Sequence, residues 1–460
     1  MVYEYNQKGG ADSQAASLRE EILNTTDKLE ISGTRYYISN NGDDNNDGLT
    51  PETAWQTPEK LNEVADVFNN GDAVLFERGG VYRVKYGINL VSGVTYAAYG
   101  KGAKPQILGS DMNYADPLLW KKTNRPNLWE VQLPLLPCEN AKFLNLDPGI
   151  MVFDDKMAGV LKDNIRDIKE DFDFAYQKSF CRVYFYYSGG NPGEVFDSIE
   201  IGAKRTLFLG RNGVSDVTID NLCIKHTGEF GVRCVGDNEN ITITNCEFGW
   251  IGGSHISATG RFGNAIEFWC SAKNILIQNN WVYQVYDAGI TPQGEHSMVW
   301  DEFRVIGNLV EYCTYSFELF CFDSIGWFTN GCVRDNIMRF AGYGWGQQRP
   351  ECSNTSHYTS WTYDLTNSYQ NFYVENNIFD CSYGSLVCWH WNNIEANHDG
   401  FHISGNTYYQ KSNPRELALW YGYGKELRDN EIKATNQDEL EKAVFELDKS
   451  PKLVKWIENN

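Results

Sequence analysis

The chain has 460 residues, of which 40 are Lys or Arg and 61 are Asp or Glu, so its formal net charge is −21. A surface this acidic argues against nucleic acid and other polyanions as partners, because these bind basic surfaces. No run of 18 apolar residues occurs, so no membrane-spanning segment is predicted, and the polar N-terminal stretch MVYEYNQKGGADSQ favours a cytoplasmic location.

The two ends of the chain have helix-like patterns, at residues 12 to 23 and 436 to 447. Between them, abundant Gly and Asn and an aromatic content of 14% indicate a turn-rich β protein. We expect residues 1–32 and 411–460 to form helical caps over the open ends of the β structure, where unpaired strand edges would otherwise be exposed.

The turn DDNNDG, near the start of the β region, partly resembles a calcium-binding loop. Asp43, Asn45, Asp47 and Gly48 match the first half of that motif, but the bidentate Glu would fall at Ala54. The twelve cysteines form no CxxC pair and have no zinc spacing with His. We therefore predict neither a metal site nor a cofactor.

Residues 33–115 are predicted to form the first turns of the β structure, and residues 116–204 interrupt the pattern. The interruption contains the stretches EVQLPLLP and FDFAYQKSFCRVYFYYSGGNPGE, which alternate in the manner of strands. We interpret it as an inserted β-rich segment, after which the main repeat occupies residues 205–410.

The main repeat is a short alternating strand, an Asn and a second apolar pair, as in VTIDNLCI, ITITNCEF and ILIQNNWVY. The Asn residues before the apolar pair are Asn221, Asn245, Asn280, Asn308, Asn336, Asn377 and Asn406. A period in the twenties with variable insertions is typical of a stacked solenoid, and Asn suits both a left-handed turn and an amide ladder between turns. A β-sandwich with Asn-rich hairpins is the alternative, but it does not explain seven returns of the same motif.

The stretches YYISNNGDDNNDGLTPETAWQT and GDAVLFERGGVYR, followed by the Asn-centred repeats, resemble right-handed parallel β-helix proteins of the pectate-lyase-like group. The resemblance covers about residues 33 to 410 and implies an all-β solenoid. It leaves the chemistry open, because that scaffold carries glycoside hydrolases, polysaccharide lyases and polyuronate epimerases.

Two glutamates interrupt apolar strands of the repeat, Glu267 in AIEFW and Glu318 in SFELF. Aligning GVRCV, AIEFW, GITPQ, SFELF and SLVCW (the last at 385–389) places apolar residues inward in every row. One outward column then reads Arg233, Glu267, Thr291, Glu318 and Val387, and the next reads Val235, Trp269, Gln293, Phe320 and Trp389. The glutamates are thus predicted to point outward from one sheet, about 9 to 10 Å apart at the backbone.

Asp287, immediately before the middle strand, is expected to lie within one turn of either glutamate. The aromatic residues Trp269, Phe320, Trp345 and Trp389 are predicted near these three carboxylates, and long loops at 252–262, 294–300 and 342–361 are predicted to wall a cleft. Further candidates for substrate binding are Gln293, His296, Arg349 and His390. Carboxylates beside aromatic faces suit a sugar site, although outward glutamates can also be ordinary solvated surface.

Three functions follow from this constellation. The first is a glycoside hydrolase for a neutral oligosaccharide or glycoside, with Asp287 and Glu318 as the reacting pair and Glu267 in support. The second is a uronic-acid lyase or epimerase, in which Arg233 and Arg349 would neutralise the uronate. The third is a carbohydrate-binding solenoid without catalysis. All three imply a carbohydrate partner and leave the oligomeric state open.

Overall fold

A computed structural model describes residues 7–26, 29–138, 142–143, 146–256, 260–295, 297–322, 326–349, 355–362, 368–391, 400–423 and 430–458. Its short strands stack into three long sheets, and from residue 206 to residue 411 each turn of the chain visits sheet 2, sheet 1 and sheet 3 in that order. Strand pairing within these sheets is parallel, except at the C-terminal edge of sheet 2. The predicted parallel β-helix is therefore confirmed.

The strands of the solenoid are as follows. Sheet 1 contains Arg35–Ile38, Ala73–Glu77, Thr95–Tyr99, Ser215–Asp220, Asn238–Thr244, Ala272–Gln278, Met298–Ile306, Gly326–Thr329, Cys332–Arg334, Ser368–Gln370, Phe372–Glu375 and Phe401–Ser404. Sheet 2 contains Ile88–Asn89, Thr206–Gly210, Phe230–Val235, Ile266–Trp269, Ala288–Glu295, Tyr315–Phe322, Ser356–Thr362, Val387–Trp391, Leu417–Tyr423 and Asn430–Lys433. Sheet 3 contains Val81–Arg83, Gln106–Leu108, Cys223–Thr227, Glu247–Ile251, Trp281–Val285, Leu309–Glu311, Ile337–Arg339, Ile378–Asp380, Thr407–Lys411 and Leu453–Ile457.

The core of the solenoid is a set of apolar columns, because alternate residues of each strand point inward. Ile241 and Ile243 are fully buried, and they pair with the equally buried Ile275 and Ile277 on the next turn. Thr242, between the two isoleucines, is only half-buried on the outer face. The period-two pattern in the sequence thus predicts which side of each strand is buried.

A ladder of buried asparagines follows the turn between sheet 1 and sheet 3. Its members are Asn280, Asn308, Asn336, Asn377 and Asn406, and it ends on Asp448. At each step the backbone N–H and the Nδ2 amide of one residue donate to one side-chain oxygen of the next, as from Asn308 to Asn336 Oδ1 at 2.9 and 3.0 Å and from Asn406 to Asp448 Oδ2 at 3.2 and 3.3 Å. The ladder supplies partners for buried backbone groups that no strand satisfies.

The first two asparagines of the predicted repeat do not belong to the ladder, because they lie one residue before the ladder position. Asn221 and Asn245 have φ angles of 64° and 54° and form the left-handed bend, whereas Leu222 and Cys246 occupy the ladder position. The Cys246 N–H donates to Asn280 Oδ1 at 2.9 Å, so the ladder begins there. Asn is suited to the bend and to the ladder, and these positions are adjacent, so the motif alone does not separate them.

Replacing Asn308 with alanine should lower the free energy of unfolding by about 3 kcal/mol, because it leaves buried donors of Asn280 and the carbonyl of Ile277 without partners. Chemical denaturation followed by tryptophan fluorescence measures the change. Asn330→Gly is the matched control, since Asn330 belongs to an exposed amide ladder and has a φ of 55° that glycine adopts readily. Equal losses in the two variants would show that burial of the ladder adds nothing.

A β-rich segment, residues 110–202, interrupts the solenoid and is called the insertion below. It forms two sheets of its own. They contain the strands Ser110–Asn113, Ile150–Phe153, Met157–Ala158 and Ile199–Gly202, and the strands Lys121–Lys122, Leu128–Gln132, Val160–Leu161, Asp173–Gln177 and Arg182–Tyr186. Small two-stranded sheets join Pro137–Cys138 to Lys142–Phe143, and Ser254–His255 to Arg261–Phe262. The insertion has a separate apolar core and is tied to the solenoid by ion pairs, for example between Asp155 and Lys225 at 2.8 Å.

The described helices are short. They are α1 (Asp12–Leu23), α2 (Glu59–Glu63), α3 (Pro192–Val195) and α4 (Gln437–Leu447), with 3-10 turns at Pro51–Thr53, Ala65–Val67, Ile165–Asp167, Lys178–Phe180 and Trp345–Gln348. α4 packs at the last strand of sheet 3, whereas α1 lies along the outside of that sheet, where Arg339 joins Asp12 to Glu311 and Asp380. α1 therefore covers a lateral face rather than the open end where we expected it. None of the helices in these described ranges is long and apolar enough to cross a membrane.

Candidate active site

A cavity of about 450 Å³ lies over the outer face of sheet 2. Its lining consists of Phe230, Arg233, Ile256, Phe262, Asn264, Glu267, Trp269, Asp287, Gln293, Tyr315, Glu318, Phe320 and Arg349. Successive strands of sheet 2 form the floor, and loops between the strands form the walls. The volume and the mixture of aromatic walls with a few polar groups suit a small organic ligand.

The strand register brings the two glutamates of the repeat into one column on this floor. Glu267 pairs with Arg233 on one side and with Thr291 on the other. Ile290 pairs with Phe317, so Glu318 lies beside Thr291 on the following turn. The backbones of Glu267 and Glu318 are therefore two strand spacings apart, about 10 Å.

Glu267 is held by two donors at the base of the cavity. Its carboxylate accepts a hydrogen bond from Arg233 Nε at 2.6 Å and another from Asn264 Nδ2 at 2.7 Å. Burial raises the pKa of Glu267 above its usual value, and the charge of Arg233 offsets part of the shift. With both oxygens occupied, Glu267 is fixed in orientation.

Glu318 is almost completely buried, at 5% exposure, and it accepts a hydrogen bond from Gln293 Nε2 at 2.9 Å. Burial raises the pKa of Glu318 well above the usual carboxyl value, and the negative charge of Asp287 adds to the shift. Arg349 and the hydrogen bond from Gln293 oppose the shift without reversing it. The proton of Glu318 is therefore held more strongly than that of an ordinary carboxyl group.

Asp287 precedes the strand Ala288–Glu295 and forms a buried ion pair with Arg349. The guanidinium of Arg349 is fixed in turn over the rings of Phe262 and Tyr286, at 5.5 and 5.9 Å. A cation in direct contact favours the ionised form of Asp287. The cavity thus combines a carboxyl group paired with a cation and a second carboxyl group whose pKa is raised by burial. In the part of the chain that is described, no group of three or more His, Cys, Asp or Glu side chains is arranged to hold a metal ion.

Aromatic side chains form much of the cavity wall. Trp269 and Phe320 extend from the floor, in the column next to the glutamates, and Gln293 lies between them on the middle strand. The Arg233 guanidinium lies 5.7 Å from the ring centre of Trp269 and 4.6 Å from that of Phe230. Rings presented in this way can stack on the C–H faces of a sugar.

The predicted register is wrong beyond Glu318, and Trp389 leaves the set of site residues. The strand Ser356–Thr362, which we interpreted as part of a loop, inserts between the two rows, so Thr359 pairs with Glu318 on one side and Cys388 on the other. This shifts the last row by one residue, and in a strand a shift of one reverses the faces. Val387 therefore points into the core instead of outward, and Trp389 packs against the core from the inward column.

Trp345 is the other aromatic residue that the structure removes from the cavity. It is 1% exposed, its indole N–H donates to the carbonyl of Gln284 at 2.8 Å, and its ring packs on Tyr286. Trp345 lies outside the cavity, in a buried cluster with Tyr286 and residues of the insertion. His296 and the side chain of His390 lie outside the described residues.

Several lining residues were missed in the sequence. They are Phe230, Ile256, Phe262, Asn264 and Tyr315. Asn264 was detectable in principle, since it precedes Glu267 by three residues in GNAIEFW. Tyr315 was not, because alternation gives it the same parity as the inward Phe317. Phe262 belongs to the two-stranded sheet that closes over the cavity, and no periodic pattern marks that position.

Comparisons with known proteins give one sequence relative and several solved structures that are similar to this chain. No family model matches the chain. A segment is 31% identical over 127 residues to a lacto-N-biosidase of Bifidobacterium longum subsp. longum, a match that covers 26% of this chain and 8% of that protein.

A solved structure described as a glycoside hydrolase superposes over 93% of this chain and 96% of its own, with 10% identity and a TM-score of 0.52. The chain is a right-handed parallel β-helix protein. A lacto-N-biosidase structure from Eubacterium ramulus aligns with 14% identity and a TM-score of 0.39 over 85% of this chain and 68% of that one.

Proposed function

We propose that this protein is a glycoside hydrolase that cleaves a neutral oligosaccharide or glycoside. The observation that carries the proposal is the presence of two carboxyl groups with unlike surroundings in one aromatic cavity: Glu318 is buried with its pKa raised, and Asp287 is paired with Arg349. Two carboxyl groups held in opposite protonation states are what glycosidic cleavage requires. The sequence similarity to a lacto-N-biosidase supports the same reaction class.

In this mechanism Glu318 gives its proton to the glycosidic oxygen as the bond from that oxygen to the anomeric carbon breaks. Asp287 either attacks the anomeric carbon directly or removes a proton from the water that attacks it. Gln293 orients the acid through its 2.9 Å hydrogen bond, and Glu267 supports the floor between Arg233 and Asn264. The rings of Trp269 and Phe320 would hold the sugar against the carboxyl groups.

A uronic-acid lyase is the second candidate, and the pairing of the two cavity arginines counts against it. Such an enzyme needs a cation to neutralise the substrate carboxylate while a base removes the neighbouring proton. Arg233 is already bound to Glu267, and Arg349 is bound to Asp287. A uronate entering the cavity would therefore compete with the protein's own carboxylates for these guanidinium groups.

A screen of chromogenic glycosides with purified protein tests the proposal. We expect hydrolysis of at least one neutral glycoside, with glycosides of lacto-N-biose included in the panel, and no unsaturated product in ultraviolet absorbance from a uronide polymer. Unsaturated product without glycoside hydrolysis would establish the lyase instead. Saturable sugar binding without either product would indicate a carbohydrate-binding solenoid.

A further inference from the structure

One of the contacts between the insertion and the candidate active site is made by the side chain of Gln348. Gln348 Nε2 donates to the carbonyl of Gly159 at 2.8 Å, and its Oε1 accepts from the N–H of Leu161 at 3.0 Å. The N–H groups of Val160 and Lys162, on either side of Leu161, donate within the insertion's own sheet. The amide of Gln348 thus binds the free edge of that sheet as a neighbouring strand would.

The residue after Gln348 is Arg349, one of the two arginines that line the cavity. The backbone N–H of Arg349 donates to the carbonyl of Gly346 at 3.0 Å. The Arg349 side chain therefore extends directly from the end of the short helical turn whose last residue is Gln348. From there it forms the ion pair with Asp287. A shift of this turn would move Arg349 relative to Asp287.

Both members of the ion pair are also carried by residues that pack on the insertion. Trp345, at the start of the turn, and Tyr286, immediately before Asp287, belong to one buried cluster with Ile150, Val152 and Ala158 of the insertion. The rings of Trp345 and Tyr286 are 4.9 Å apart, and both are at most 1% exposed. A close-packed cluster of this kind transmits displacement because it has little free volume.

We propose that the insertion holds the Arg349–Asp287 pair in its reactive position, and that Gln348 is the positioning residue that makes this connection. The inference rests on the proposed function, since it assigns the insertion a part in glycoside cleavage. Its physical basis is that catalytic groups must be held within a fraction of an ångström, and supporting hydrogen bonds provide that restraint. Gln348 does not line the cavity, so it would act through Arg349.

The test is Gln348→Met, which keeps the length of the side chain and removes both hydrogen bonds. We expect kcat to fall about 10- to 100-fold with little change in KM, because a displacement near 1 Å at the reacting groups has an effect of that size. Gln347→Met is the matched control from the same turn and should behave as wild type. In an Arg349→Gln background, Gln348→Met should cause no further loss, because its effect passes through Arg349.

A second readout does not depend on activity. Arg349 lowers the pKa of Glu318, so a displaced guanidinium should let that pKa rise, as measured by ¹³C NMR of labelled glutamate. If wild type hydrolyses no glycoside, the proposed function fails, but this titration still decides whether Gln348 positions Arg349. An unchanged Glu318 titration in Gln348→Met, or losses that add in the double variant, would overturn the inference.

Discussion

Replacing Glu318 with glutamine should lower kcat for glycosides with alcohol leaving groups by about 10²- to 10⁴-fold, the usual contribution of a general acid. The glutamine side chain has the same shape and can still accept from Gln293, so substrate binding and folding should persist. What is lost is the proton that the buried carboxyl supplies to the departing oxygen. Steady-state kinetics with a natural-type disaccharide and calorimetric binding to the same ligand measure both expectations.

The leaving group provides the internal control for this experiment. A dinitrophenyl glycoside departs as a stable anion, so its cleavage should decrease far less in Glu318→Gln than cleavage of the disaccharide. Glu295→Gln, which neutralises an exposed carboxylate at the end of the neighbouring strand, should leave both substrates unaffected. Equal losses for both leaving groups would mean that Glu318 is not the proton donor.

The fold was predictable because every turn repeats the same physical requirement. Inward positions such as Ile243 and Ile277 must be apolar, and the turn that follows must satisfy buried backbone groups, which the Asn ladder does. Because both requirements recur in every turn, the apolar positions and the Asn residues repeat along the sequence and reveal the length of one turn. The strand Ser356–Thr362 escaped detection because its inward Ser360 is polar, buried and hydrogen-bonded to the hydroxyl of Tyr369 at 2.9 Å.

The residues on the floor of the candidate site were also predictable from the sequence. The loops that bury them were not. Alternation within single strands places Glu267, Glu318 and Trp269 on one face, whichever turns they belong to. The near-complete burial of the glutamates depends on loops such as the one that carries Phe262. That loop is held by contacts with the insertion, for example the ion pair of Arg261 with Asp163, and not by any local pattern. The raised pKa of Glu318 is a consequence of that burial, so it could not be derived from the strand sequence.

Replacing Asp287 with asparagine should reduce cleavage of every glycoside, including the dinitrophenyl substrate, by about 10²-fold or more. An activated leaving group should not restore the rate of this variant, because Asp287 acts on the anomeric carbon or on the attacking water. Asp237→Asn, at an exposed turn after the strand Phe230–Val235, is the matched control and should retain wild-type rates. A loss of only a few-fold would exclude Asp287 as a reacting group.

The same variant should lower the pKa of Glu318. Asp287 raises that pKa through like-charge repulsion, and in Asp287→Asn the repulsion is gone while the guanidinium of Arg349 is no longer neutralised. Both changes favour the ionised form of Glu318, so its ¹³C titration should move to lower pH in the variant. An unchanged titration would mean that the two carboxyl groups do not interact, and the acid–base pair would have to be sought elsewhere in the cavity.

The configuration of the first sugar product then separates the two roles that remain for Asp287. If proton NMR of the wild-type reaction shows that the anomeric configuration is retained, Asp287 bonds to the sugar and a glycosyl-enzyme intermediate forms. If the configuration is inverted, Asp287 activates water from the face opposite Glu318. Carboxyl groups about 5 Å apart favour the first outcome and those at roughly 6.5 to 9.5 Å the second, since only the wider gap admits a water molecule between sugar and base.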